Sequence, residues 1–203
     1  MPRDGAATRN RIMDVAQSMV LDVGLAGTSV EKVIEGAGVA KGTVFYHFKT
    51  KHDLAAALIE RYADQDEHHF ADAMSKAEQL ARDPLQQLLI FVGLFIEMTE
   101  QLEEPFPGCL YASYCYQSGA ISSQSMAQVE RMMLFWRERL GEKVEAVIGQ
   151  NPPRIPVESH QVADHVLTTF EGAFILSKVM KEPKLASEQL LQCRNYLELL
   201  FAA

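Results

Sequence analysis

Residues 39–48 bring together side chains whose chemistry suits a nucleic-acid partner. The segment carries an ammonium group, two hydroxyl groups and an imidazole, on Lys41, Thr43, Tyr46 and His47. Such groups donate hydrogen bonds to phosphate oxygens and to base edges in the major groove. Val44 and Phe48 are four residues apart, so in a helix they share the other, apolar side. The pattern predicts a short helix whose apolar face is anchored in the core and whose polar face is exposed to a partner.

Two helices upstream must hold this segment in place. Apolar residues recur at helical spacing along the first of them, at Ile12, Val15, Ala16, Met19, Val20 and Val23. We expect this helix to be capped by Thr8 and to stop at Gly24. Thr28 and Glu31 then form a capping-box pattern. This pattern predicts a second, short helix that ends near Gly36.

The order helix, short helix, glycine-containing turn and short helix is typical of a helix-turn-helix unit. Helix N-termini offer backbone N–H groups to a phosphate, and Thr28, Ser29 and Lys51 lie at such positions. From spacing alone, a small capped helical hairpin with a solvated face is an equal alternative. A helix-turn-helix module that binds protein and not DNA is a further one.

The rest of the chain is also predicted to be helical. Thr50 and Asp53 cap a long fourth helix, which should end before Pro84 because proline disrupts a helix interior. Further helices are predicted at about 85–102, 109–118, 122–149, 159–179 and 186–201. No strand pattern is evident. The sequence therefore predicts an all-α fold.

The chain after residue 51 is rich in aromatic side chains that could line an apolar ligand pocket. The candidates on predicted inward stripes are Phe95, Tyr114, Trp136, Phe170 and Phe174. Glu171 could add a buried carboxylate that meets a polar group of the ligand. For each residue, the alternative is an ordinary place in the hydrophobic core.

Cys109 follows Pro107 and Gly108 and is expected to open a helix. A helix N-terminus stabilises a thiolate and raises its reactivity. A thiol that senses electrophiles or oxidants is therefore one alternative function for this position. A small, inert hydrophobic side chain is the other.

Composition limits the class of protein. The 203 residues are 48% hydrophobic and 23% charged, which is typical of a globular chain and not of a disordered one. No apolar run approaches the roughly 20 residues that span a bilayer, and no signal peptide is recognisable at the N-terminus. The three cysteines suggest no disulfide framework. We expect a cytoplasmic protein with no membrane partner.

No catalytic motif, cofactor motif or metal-ligand spacing stands out. The glycine-rich segment 36–43 has Lys41 before Gly42, whereas a phosphate-binding loop needs the reverse order. Asp64 and His68 share one helical face, for which a solvated surface is a simpler explanation than a metal site. We expect no enzyme activity, no cofactor and no metal, and a helical enzyme is a remote alternative.

The net charge of −8 is unevenly distributed along the chain. Residues 1–51 carry seven basic and five acidic side chains, a net charge of +2, so the remaining residues carry −10. The acidic excess lies outside the predicted helix-turn-helix and therefore does not argue against DNA binding there.

The segment Val39–Lys51, VAKGTVFYHFKTK, resembles the recognition-helix signature of TetR-family transcriptional regulators. The Gly24-Leu25 pair, the Thr28–Val30 segment and the apolar stripe of the first helix match the family as well. The resemblance covers roughly residues 8–60. In the remainder of the chain it extends to the helical layout alone.

By matching position, the resemblance implies a set of DNA-facing residues: Lys41, Gly42, Thr43, Phe45, Tyr46, His47 and Lys51. These join Thr28 and Ser29 at the predicted start of the second helix. Gly42 would allow close approach to the DNA backbone. The chain departs from the family pattern at Ala40, where a capping serine is common, and at Phe45, where a tyrosine is common.

The resemblance further implies a homodimer whose last two helices form a four-helix bundle across the two-fold axis. Two recognition helices would enter successive major grooves of a palindromic operator. We expect a DNA-binding domain at residues 1–51 and a helical ligand-binding and dimerisation domain at residues 52–203. The expected function is that of a repressor released from operator DNA by a partly apolar or aromatic small molecule. A repressor that senses oxidants through Cys109 is the alternative.

Overall fold

The computed structural model describes residues 3–115 and 122–201, and all regular structure in these two ranges is helical. The helices are α1 (Arg3–Gly27), α2 (Val30–Ala37), α3 (Lys41–His47), α4 (Lys51–Leu80), α5 (Pro84–Glu100), α6 (Leu110–Cys115), α7 (Ser123–Gln150), α8 (Ser159–Met180) and α9 (Lys184–Phe201). The prediction of an all-α fold is confirmed. The predicted continuation of the sixth helix to residue 118 lies outside the described residues.

The helices form two compact units. The first contains the described residues of Met1–Gln65 and Pro107–Arg131, and the second contains those of Asp66–Phe106 and Met132–Ala203. The first unit is therefore larger than the helix-turn-helix segment, since it also includes the first half of α4 together with α6. A functional division after residue 51 remains a prediction.

Two predicted helix caps are wrong. Helix α1 begins at Arg3, so Thr8 lies inside the helix and does not cap it. Ser29, and not Thr28, caps α2, because the Ser29 Oγ accepts a hydrogen bond of 3.2 Å from the backbone N–H of Lys32. The Thr28 hydroxyl instead donates to the carbonyl oxygen of Gly24 at 2.9 Å.

Glycine and proline lie at helix boundaries, as predicted. Helical geometry breaks at Gly24, where φ is 76° and ψ is 166°. Helix α4 ends at Leu80, and Pro84 opens α5 behind an Asp83 cap whose carboxylate accepts from the N–H of Gln86 at 2.8 Å. Proline suits the first helical position because the N–H that it lacks would have no partner there.

The core of the first unit joins α1 to α2, α3 and α4. It contains Ile12, Met13, Ala16, Val20, Val33, Val44, Phe48, Leu54 and Leu58. Across the edge of this core, the Arg61 guanidinium of α4 donates to Asp14 at 2.6 Å and to Gln17 at 2.7 Å on α1. These contacts fix the first half of α4 against the helix that supports α2 and α3.

In the second unit, α9 packs against both α5 and α8. Helix α5 contributes an almost fully buried series, Leu85, Leu88, Leu89, Phe91 and Val92. Its second half is less enclosed, and Met98 is 44% exposed. Helix α5 is thus buried along its first half and more exposed along its second. None of the helices in the described ranges combines the length and apolar character needed to cross a membrane.

Candidate nucleic-acid interface

The turn between α2 and α3 depends on one left-handed residue. Gly38 ends α2 with φ 60° and ψ 39°, and its N–H bonds to the carbonyl of Glu35 at 3.1 Å. A Cβ at Gly38 would meet no other atom within 4 Å, so the backbone angle and not crowding favours glycine. The turn sets the direction in which α3 leaves α2.

Helix α3 has one buried and one exposed face. Val44 and the following Phe48 are only 1% and 4% exposed. On the other face, Lys41, Gly42 and Tyr46 are exposed, and Tyr46 reaches 75%. Thr43, Phe45 and His47 are half-buried between the two faces. The predicted division of α3 into an anchoring side and a presented side is therefore present.

Aromatic contacts orient the presented side chains. The Lys41 Nζ lies 5.8 Å from the centroid of the Phe45 ring, within reach of a cation–π interaction. The Tyr46 and His47 rings meet edge to face with centroids 5.1 Å apart. A tyrosine is common at this position in the family that the segment resembles, and its hydroxyl could donate a hydrogen bond. Phe45 has no hydroxyl, and its ring instead contacts the Lys41 ammonium.

The start of α3 carries no side-chain cap. Ala40 occupies the cap position in extended geometry and makes no side-chain hydrogen bond there, as its type requires. A Cβ at the exposed Gly42 would meet nothing within 4 Å. The backbone at this end of α3 is therefore open to an approaching group.

The three residues predicted at helix N-termini, Thr28, Ser29 and Lys51, differ in how far they are buried. Thr28 is 3% exposed and its hydroxyl donates to the carbonyl oxygen of Gly24, and a DNA contact at Thr28 stays a prediction. Ser29 and Lys51 are half-buried and line one small cleft at the base of α2 and α4. Partial burial lowers the pKa of the Lys51 ammonium from its ordinary value.

Helix α4 begins with the predicted reciprocal cap. The Thr50 Oγ1 accepts from the N–H of Asp53 at 3.1 Å, and the Asp53 carboxylate accepts from the N–H of Thr50 at 2.9 Å. This pair fixes the backbone that connects α3 to α4. Lys51 consequently has a defined position at the first turn of α4.

Sequence reasoning missed Arg9, whose guanidinium carbon lies 5.2 Å from the centroid of the Phe48 ring. Arg9 belongs to α1 and lies three residues before Ile12, the first residue of the apolar stripe. A cation at this helical spacing reaches the same face as the stripe. That spacing was the available signal that Arg9 approaches α3.

The predicted pocket residues fall into both units. Four of them cluster in the second unit, where the Phe95 ring lies 5.0 Å from Phe170 and 6.1 Å from Trp136, and Phe170 lies 6.2 Å from Phe174, between centroids. The Trp136 indole N–H donates to the Asp66 carboxylate at 2.8 Å. Glu171, half-buried, follows Phe170 on α8. The aromatic cluster of Phe95, Trp136, Phe170 and Phe174 therefore combines apolar ring faces with the nearby carboxylate of Asp66.

Tyr114 and Cys109 belong to the first unit. Tyr114 is fully buried, its hydroxyl donates to the Ala55 carbonyl at 3.4 Å, and burial raises its pKa above the ordinary value. Cys109 is buried and precedes the first residue of α6, where its carbonyl accepts from the N–H and the hydroxyl of Ser113, both at 3.2 Å. Burial of the sulfur is unfavourable for the thiol-sensing alternative, which needs an accessible thiolate.

A family model for bacterial regulatory proteins of the tetR family matches residues 12–58. The chain is 18% identical over 176 residues to an uncharacterized HTH-type transcriptional regulator in the lacX 3′ region of Lactococcus lactis subsp. lactis, a match that covers 86% of this chain and 85% of that protein. It is 26% identical over 102 residues to the HTH-type transcriptional repressor KstR2 of Mycolicibacterium smegmatis, with 50% of this chain and 46% of KstR2 covered.

Among solved structures, a TetR-family transcriptional regulator from Agrobacterium tumefaciens superposes with a TM-score of 0.81 at 18% identity. The superposition covers 98% of this chain and 100% of that chain, so the two proteins share the whole fold. The matched residues 12–58 contain α2, the Gly38 turn and α3 in full. Residues 12–58 therefore form a helix-turn-helix domain of the TetR family, and the chain as a whole has the fold of a TetR-family transcriptional regulator.

Proposed function

We propose that this regulator is a dimeric repressor that binds a palindromic operator through α3 and leaves it when a small molecule binds. The observation that carries the proposal is the two-faced α3. Val44 and Phe48 fix one face in the core, while Lys41, Gly42 and Tyr46 are open on the other. A helix held in this way presents a cation and hydrogen-bonding groups to a major groove without unfolding.

Dimerisation through α8 and α9 is supported by apolar side chains left exposed on both helices. They are Ile175, Leu176, Val179 and Met180 on α8, and Leu191, Tyr196 and Leu199 on α9. Monomeric proteins rarely expose large apolar patches, so several exposed apolar side chains on two neighbouring helices suit an interface. Because the two helices pack together, a second copy would complete a four-helix bundle and bury this surface.

A dimer would also compensate for the modest charge of each DNA-binding segment. With a net charge of +2 over residues 1–51, one copy gains little from phosphate neutralisation. Two α3 helices in successive major grooves, about 34–36 Å apart, would bind in a linked way and reach a much higher affinity.

The effector site is proposed at the aromatic cluster of Phe95, Trp136, Phe170 and Phe174. Its rings would contact an apolar or aromatic ligand, and the carboxylates of Asp66, which accepts from the Trp136 indole N–H, and of Glu171 would also accept from a polar group of the ligand. Helix α4 is continuous from Lys51, next to the DNA-facing residues, to Leu80. A tilt of α4 on ligand binding would change the separation of the two α3 helices and release the DNA.

Fluorescence anisotropy with a labelled palindrome from the gene's own promoter tests the DNA-binding part of the proposal. The Lys41→Ala variant should weaken binding sharply and reduce its salt dependence, because an operator contact is lost. Lys76→Ala is the matched control, since Lys76 is an exposed lysine on the second half of α4. Failure of the unmodified protein to bind in a salt-sensitive way, or equal losses in both variants, would overturn the proposal.

A further inference from the structure

Arg9 is held at the edge of α3 by two contacts. Its guanidinium lies over the Phe48 ring at 5.2 Å, and its Nη1 lies 3.1 Å from the sulfur of Met13, one helical turn along α1. Met13 and Phe48 are buried, whereas Arg9 is half-buried at the rim of the core. The charge of Arg9 is therefore fixed in position and still reached by solvent.

Among the described side chains, no carboxylate pairs with Arg9. Some other arginines do have such a partner: Arg61 pairs with Asp14 at 2.6 Å and Arg137 pairs with Asp164 at 2.9 Å. A guanidinium remains charged at all ordinary pH values, and when it stacks on a ring its in-plane N–H groups still point outward as donors. An oriented guanidinium without a counter-charge suits a phosphate, which it can bind with two parallel hydrogen bonds.

The location of Arg9 matches the edge of a DNA groove. Phe48 is the C-terminal cap of α3, and the exposed Lys49 follows it directly. A helix that lies in the major groove, about 12 Å wide, has the phosphates of both strands along its flanks. A cation fixed beside the end of α3 therefore lies where one of these phosphate rows would run.

We propose that Arg9 binds an operator phosphate and holds the C-terminal end of α3 in the major groove. The inference rests on the proposed function of α3 as the helix that enters the groove. It adds to the interface a residue of α1 that lies outside the segment Val39–Lys51. The ring of Phe48 serves as the platform that orients the guanidinium.

The test uses the full-length protein and the labelled promoter palindrome described above. Arg9→Gln removes the charge and should raise Kd about tenfold, while the slope of log affinity against log salt concentration falls by about one for each protomer. Arg9→Lys keeps the charge and should retain the slope, with a smaller loss of affinity. Arg11→Gln is the control, because Arg11 is exposed and lies about 200° around the axis of α1 from Arg9, and it should leave both quantities unchanged.

Thermal unfolding of each variant separates a DNA contact from a purely structural one. Arg9→Met keeps an apolar side chain over Phe48 but removes the charge. It therefore provides a second uncharged variant in case Arg9→Gln folds poorly. A lower melting temperature with wild-type Kd and wild-type salt slope would assign Arg9 to folding alone and overturn the inference. If the unmodified protein binds the palindrome but Arg9→Gln and Arg9→Met bind equally well, this inference fails while the proposed function stands. If the unmodified protein does not bind, both fail.

Discussion

At the scale of single residues, two glycines of the helix-turn-helix differ in what surrounds them. A Cβ added to Gly36 would come within 2.8 Å of Val15 Cγ1 and 3.0 Å of Met19 Cε, so α2 approaches α1 closely at this point. A Cβ added to Gly42 would meet nothing within 4 Å. Packing inside the protein therefore requires glycine at position 36 but not at position 42.

Gly36→Ala should destabilise the protein. The new methyl group would overlap Val15, and overpacking of this kind costs about 1–3 kcal/mol. Alanine has a higher helix propensity than glycine, and this difference offsets the loss of stability by roughly 1 kcal/mol at most. Urea unfolding should show a lower midpoint for the variant. A midpoint equal to or above that of the unmodified protein would contradict the close packing of α1 on α2.

Gly42→Ala should leave the fold intact and weaken DNA binding. Its methyl group would occupy open space in the free protein, and helix propensity predicts a stability equal to or up to about 1 kcal/mol above that of the unmodified protein. On DNA, the same methyl would stand between the start of α3 and the phosphate backbone. Anisotropy titration and urea unfolding of one preparation separate the two effects. Unchanged affinity would show that no close approach occurs at Gly42.

At the scale of elements, hydrophobic periodicity predicted the long helices well, whereas the N-terminal caps predicted at Thr8 and Thr28 were wrong. The Thr50 and Asp53 box was predicted and is present, because both partners lie within one local segment. Thr28 fits the same pattern in sequence, but its hydroxyl bonds to the Gly24 carbonyl exposed by the break in α1. The choice between Thr28 and Ser29 therefore depends on the backbone before the helix, which the capping pattern does not describe.

Helices α8 and α9 allow a direct test of the proposed dimer. Val179 is 74% exposed, so Val179→Glu should cost the monomer little, while a charge in the bundle should weaken the dimer by at least tenfold. Leu80→Glu is the matched control, since Leu80 is 63% exposed at the end of α4. Sedimentation velocity over a dilution series measures the change. A Val179→Glu variant that remains as dimeric as the control would exclude this face as the interface.

At the scale of the whole molecule, contacts between distant parts of the sequence determine what local patterns cannot. The prediction grouped Tyr114 with Trp136 as pocket residues, because both lie on apolar helical faces. In the structure, the Tyr114 hydroxyl bonds to Ala55 in the first unit, and the Trp136 indole bonds to Asp66 in the second. The sequence therefore predicted the presented face of α3 from local spacing. It could not divide the aromatic residues between the two units.

The proposed effector site can be tested with Trp136, the single tryptophan of the chain. A compound retained by the purified protein and identified by native mass spectrometry should change the Trp136 emission on binding to the delipidated, ligand-free protein. The same compound should lower the affinity for the palindrome, and DNA should lower the affinity for the compound by the same factor, because coupling is reciprocal. A compound that changes the emission but leaves DNA affinity unaltered would separate the aromatic cluster from regulation.

The central claim is that two copies of α3 engage one palindrome at the same time. Its most direct test is the affinity of the protein for two versions of the promoter palindrome, one natural and one with five base pairs inserted between the half-sites. Because half-sites one helical turn apart face the same side of the duplex, the insertion turns one of them to the opposite side. The account predicts that affinity for the altered DNA falls to that of a single half-site. Equal affinity for the two DNAs would contradict it.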